Sequence, residues 1–112
     1  MKYQYILMQM PRAINKQKGM MSYDYHKEQG IDLAEYCWMW RDNIEGNDSF
    51  SALENIFELF NMERPEQFCG HSMSVGDIIK LKPLVENEDE DDTPEYWYCD
   101  NLGWKKLTDI AL

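Results

Sequence analysis

No stretch of the 112 residues is long and apolar enough to span a bilayer, and the opening Met1-Lys2-Tyr3-Gln4-Tyr5 has no hydrophobic leader. A cytoplasmic location with no membrane partner is the expectation. Cysteine is scarce: Cys37, Cys69 and Cys99 are odd in number and widely spaced, with no C-x-x-C pair and no Cys/His grouping at zinc spacing. This excludes a disulfide framework and predicts buried or partly buried free thiols in a reducing compartment. Basic residues are outnumbered, 11 Lys and Arg against 21 Asp and Glu. The resulting net charge of -10 argues against a nonspecific nucleic-acid or anionic-membrane binder.

What is present suits one compact domain over residues 1–112. At 44% hydrophobic, a chain of this size buries a core without help from disulfide or metal. Tyr3, Tyr5, Leu7 and Gln9 alternate with Lys2, Gln4, Ile6 and Met8, which predicts a strand near a sheet interior, stopped by Pro11. Arg12 to Gly19 reads as a basic loop. Ser22 as N-cap and Gly30 at the far end bound a short helix from Tyr23 to Gln29, in which His26 reads as a surface or packing residue.

Glu35 to Asp42 predicts a strand with Tyr36, Trp38 and Trp40 on one face and Cys37, Met39 and Arg41 on the other. Core packing is the preferred account of the tryptophans, and an exposed partner anchor is the alternative. After a turn at Gly46-Asn47-Asp48, Ser51-Ala52-Leu53-Glu54 matches a capping box. Leu53, Ile56, Phe57 and Phe60 then make the apolar stripe of a helix at about 51–61, with Asn61 as an αL cap.

The stretch from Met62 to Lys82 concentrates residues with special backbone demands. Pro65 biases Arg64 away from helix, and Ser74-Val75-Gly76-Asp77 reads as a turn needing φ > 0 at Gly76. A strand over Asp77–Lys82 follows, then Glu86-Asn87-Glu88-Asp89-Glu90-Asp91-Asp92. Those six carboxylates repel one another, so a solvated loop is expected there. Glu95 to Cys99 and Trp104 to Leu107 flank Asp100-Asn101-Leu102-Gly103, a hairpin with Gly103 left-handed. The fold class expected is α+β. It has a small mixed or antiparallel sheet of about five strands, one main amphipathic helix, and a C-terminal three-stranded meander.

Several of these runs carry a resemblance. Leu53-Glu54-Asn55-Ile56-Phe57, Phe60-Asn61, Arg64-Pro65, Phe68 and the unbroken Gly70-His71-Ser72-Met73-Ser74-Val75-Gly76-Asp77-Ile78-Ile79 resemble the YodL-like domain. So does Tyr96-x-Tyr98-x-Asp100-x-x-Gly103-Trp104-x-x-Leu107. These motifs span Leu53 to Leu107, and Tyr23–Trp40 fits the weaker upstream part of the pattern. The resemblance implies a gene of phages, conjugative elements or low-GC Gram-positive bacteria, and no catalytic residues. The acidic run departs from relatives, which have a short turn at that point.

Three functions follow as expectations. The first is a non-enzymatic protein-interaction or regulatory module of a mobile genetic element, acting on a host or transfer protein without direct nucleic-acid contact. Its candidate binding residues are Phe68, Gly70, His71, Ser72, Ser74, Asp77, Trp97 and Trp104. The second is an acidic DNA mimic inhibiting a host nuclease or a restriction or CRISPR system through Glu86, Glu88, Asp89, Glu90, Asp91 and Asp92. The third, an enzyme using His71, Ser72 or Ser74 and Asp77, is disfavoured, because adjacent residues rarely make the required hydrogen-bonded pair. No cofactor or metal is expected. The acidic run lacks the glycine-containing spacing of an EF-hand loop.

Overall fold

The computed structural model describes residues 1–10, 33–63, 65–70, 73, 75–85, 93–100 and 103–107. Among them, five strands form one antiparallel sheet: β1 (Lys2–Gln9), β2 (Cys37–Glu45), β3 (Ile78–Pro83), β4 (Glu95–Asp100) and β5 (Gly103–Leu107). Their order is β2-β1-β3-β4-β5, so the last three strands make the expected meander. One α-helix, α1 (Ser49–Met62), lies on one face, and a 3-10 turn (Leu33–Glu35) leads into β2. The predicted loop 12–19, helix 23–29, His26 and the acidic run 86–92 lie outside the described residues. No helix among those described is long and apolar enough to cross a membrane.

The alternation of β1 sets the two faces. Tyr3, Tyr5 and Leu7 meet Ala52, Leu53, Ile56 and Phe60 of α1, together with Ile79, Leu81, Trp97, Cys99 and Trp104. Ile6, Met8 and Met10 join Ile78, Tyr98 and Leu107 on the other side, where Leu33 and Tyr36 also pack. Both faces are buried only where Ile6–Gln9 of β1 lies beside Ile78 and Ile79 of β3, and there the apolar run is nearly continuous; Lys2, Gln4, Lys80 and Lys82 leave the rest of the second face exposed or half-buried.

The helix differs from expectation at both ends. It starts two residues early because Asp48, not Ser51, is the N-cap: its Oδ1 accepts the Ser51 N–H at 2.8 Å. Glu54, the other half of the predicted capping box, instead accepts the Trp104 indole N–H at 3.2 Å. Asn61 is still helical, and the cap is Glu63, whose N–H donates to the Leu59 carbonyl at 2.9 Å without left-handed backbone. Phe57, assigned to the buried stripe, is exposed, and Ala52 takes its place. Gly46 is sterically required, since a Cβ there would lie 2.5 Å from the Ala52 nitrogen.

Strand β2 departs most. It begins at Cys37 and extends to Glu45, past the predicted end at Asp42. Leu7 pairs with Trp40 but Met8 pairs with Trp38, leaving Met39 as an extra residue. This β-bulge flips the alternation. Trp40 therefore shares the helix face with Leu7, while Trp38 shares the opposite face with Met8. Tyr36 precedes the strand and is buried on that opposite face. The three aromatic residues expected on one face thus occupy three different environments. The cysteines also divide: Cys99 is buried as expected, whereas Cys37, on the outermost strand, and Cys69 are exposed.

Both predicted glycine conformations are present. Gly76 has φ +104° and Gly103 has φ +107°. Gly76 donates to the Cys99 carbonyl, and Cys99 in turn donates to that of Asp77, each at 2.9 Å. These bonds join the turn to β4.

Candidate interaction surface

The stretch before β3 folds across one end of the helix-side core. Phe68 sits edge-on to Trp40 and Phe60, with ring centres 6.1 and 4.8 Å apart. Gly70 packs so closely that a Cβ would strike the Gln9 side chain and the Phe68 ring. Asp77 is buried and its Oδ2 accepts from Gln9 Nε2 at 3.0 Å. From the other face, the Tyr36 hydroxyl donates to the Gly76 carbonyl at 2.6 Å. Phe68, Gly70 and Asp77 are thus brought together as packing and hydrogen-bonding elements. His71, Ser72 and Ser74 lie outside the described residues.

The hairpin tryptophans are also built into the core rather than presented. Trp97 is buried and meets Phe50 of α1 at 5.1 Å, and Trp104 is buried with its indole on Glu54. Cys99 lies among them. Burial and the nearby Asp77, Asp100 and Glu54 push its thiol up to about 12, so it is protonated and poorly nucleophilic.

The opposite sheet face is different. Paired strand residues point to the same side, so Arg41 (opposite Ile6), Lys80 (opposite Ile6 and Tyr96), Lys82 (opposite Gln4) and Lys105 (opposite Tyr98) share it. Trp38 on this face is 68% exposed, the most exposed aromatic side chain among the described residues. The Lys80 ammonium stands 6.0 Å from the centre of the Trp38 ring and 5.8 Å from that of Tyr96. Such placement holds the cation through the negative faces of both rings.

At the far end of the meander, Pro83, Thr93, Pro94, Glu95, Tyr96, Lys106 and Leu107 line a shallow cleft of about 380 Å³. Glu95 pairs with Lys106 at 2.8 Å and accepts from the Ser49 hydroxyl at 2.9 Å. Burial works against its charge, but these partners outweigh it and hold the carboxyl below its usual range.

Sequence reasoning missed Gln9, Lys80 and Tyr96. Gln9 carried a signal, as a polar residue in line with Tyr3, Tyr5 and Leu7 on a buried strand face. Lys80 and Tyr96 carried none, because their pairing depends on register. Trp38 carried one as a candidate anchor, but its face follows from its pairing with Met8, across a bulge that no local residue announces.

Against known proteins, the model of the YodL-like domain matches residues 4–110. No curated protein and no solved structure matches the chain.

Proposed function

This chain belongs to the YodL-like domain family, and on that premise we propose that it is a non-enzymatic cytoplasmic protein-interaction module of a mobile genetic element, acting on a host or transfer protein. The observation that carries the reading is Trp38, exposed on a sheet face with Lys80 and Tyr96 beside it. Large aromatics of this kind anchor protein interfaces, because they bury much area at little entropic cost. Of the residues that first suggested chemistry, Asp77 is the one described, and it is buried and accepts from the Gln9 amide.

The test is affinity capture of the tagged protein from its native host, alongside Trp38→Ala and a form in which 86–92 is replaced by an Asn-Gly turn. The expected result is one partner retained by the parent and the loop-replaced form and lost by Trp38→Ala. The competing reading, DNA mimicry, draws support from α1, which carries Glu54 and Glu58 and no basic residue. It predicts capture of a nuclease that dissociates in salt, with Trp38→Ala behaving as the parent.

A further inference from the structure

The distribution of charge over the fold narrows the class of partner. Although the chain carries -10 overall, the face around Trp38 is basic. Arg41, Lys80 and Lys82 lie on its side of the sheet; Lys105 stands at the far edge beyond the buried Met8, Ile78 and Tyr98, Asp100 is on the same side as Tyr98, and Lys2 at the margin lies 4.0 Å from Glu45. On the other side, Asp48, Glu54, Glu58 and Glu63 are exposed along and beside a helix that has no Lys or Arg. The shortest dimension of the molecule is 24 Å. Screening at physiological salt acts over about 8 Å, so the acidic side does not cancel the basic one locally.

We infer that this face docks an acidic peptide segment of a partner protein, one carrying a bulky apolar side chain among its carboxylates. The apolar side chain packs on Trp38, and a carboxylate meets the Lys80 ammonium. Lys80 is well suited to this. Its side chain is half-buried and its head is held between two rings, so little freedom is lost when a carboxylate binds. A polyphosphate meets the repulsion of the net charge along its whole length, whereas a short acidic segment fits within the basic face. Charge complementarity thus selects a carboxylate-bearing protein segment.

This inference rests on the Trp38 surface being the partner site, and the experiment separates the two. An array of short peptides varying independently in carboxylate number and aromatic content is probed with the intact protein, and labelled hits are titrated in solution at low and physiological salt. Peptides combining several carboxylates with one aromatic residue are expected to bind best, and their lysine counterparts not at all. Lys80→Gln should weaken binding about tenfold, the loss of one charge-assisted hydrogen bond. Lys80→Arg should largely retain it. Absence of any carboxylate preference overturns the inference, as does tighter binding of an oligothymidylate probe. Self-association abolished by Lys80→Gln also overturns it, in favour of a second copy. If Trp38→Ala loses the captured host partner while Lys80→Gln keeps it, the surface stands and the acidic partner falls. If neither variant affects the captured partner, the surface itself is wrong.

Discussion

Single residues at the chain's corners carry much of its local order. Asp48 satisfies the Ser51 N–H at the head of α1. Asp48→Ala should therefore lower stability by about 0.5–2 kcal/mol, whereas Ser51→Ala, which removes no cap, should leave the urea midpoint nearly unchanged. The reverse order would return the cap to Ser51. Gly76 is a second such position, buried and at φ +104°. A β-branched residue there meets steric conflict in its own backbone, so Gly76→Val should lower the melting temperature by several degrees or prevent folding. A variant that melts with the parent would show that the turn relaxes to an ordinary conformation.

At the level of elements, the pairing of β2 with β1 decides what the sheet presents, and the bulge takes up the extra residue. Deleting Met39 leaves Trp40 opposite Leu7 and Trp38 opposite Met8. The ladder should close as a regular pair with the fold and both tryptophan faces kept. Acrylamide should still quench a component of the fluorescence that disappears in Trp38→Phe. Loss of that component with the fold intact would mean that the bulge, and not pairing with Met8, exposes the ring. On the other flank, Phe50 on Trp97 and Glu54 on Trp104 clamp α1 to the hairpin. This holds Trp97 and Trp104 against the helix, while Tyr96 and Tyr98 of β4 lie on the opposite face.

Over the whole molecule, charge is unevenly distributed rather than merely abundant, and one ion pair on the helix side has a pH signature of its own. The Glu95 carboxyl is held below its usual range in the folded protein by Lys106 and Ser49, against the opposing effect of burial. A depressed folded value means that its stabilisation is fully present above the unfolded carboxylate range. It is lost as pH falls through the folded value. Glu95→Gln should therefore destabilise the protein at neutral pH, and the difference from the parent should vanish in acid. Both residues are partly solvated, so the neutral-pH effect should be small. A difference in urea midpoint that persists in acid would assign the effect to packing.

The sequence by itself determined the elements whose signals are local. The period of β1, the apolar stripe of α1, the turn glycines and the meander are all set by neighbours along the chain, and all are present except that Phe57 falls outside the buried stripe. It also carried the family, through motifs between Leu53 and Leu107, and the match extends over residues 4–110. Helix ends were legible only to within a turn, because Asp48 and Ser51 are both good caps and the choice depends on how Glu54 is used by Trp104. Only the tertiary structure decided the candidate surface. Trp38 and Trp40 are two apart and read as one face; Met39, bulged against Leu7 and Met8, places them on opposite faces. Trp38, Lys80 and Tyr96 come from three strands, so register in the assembled sheet, a property no local window contains, is what brings them together.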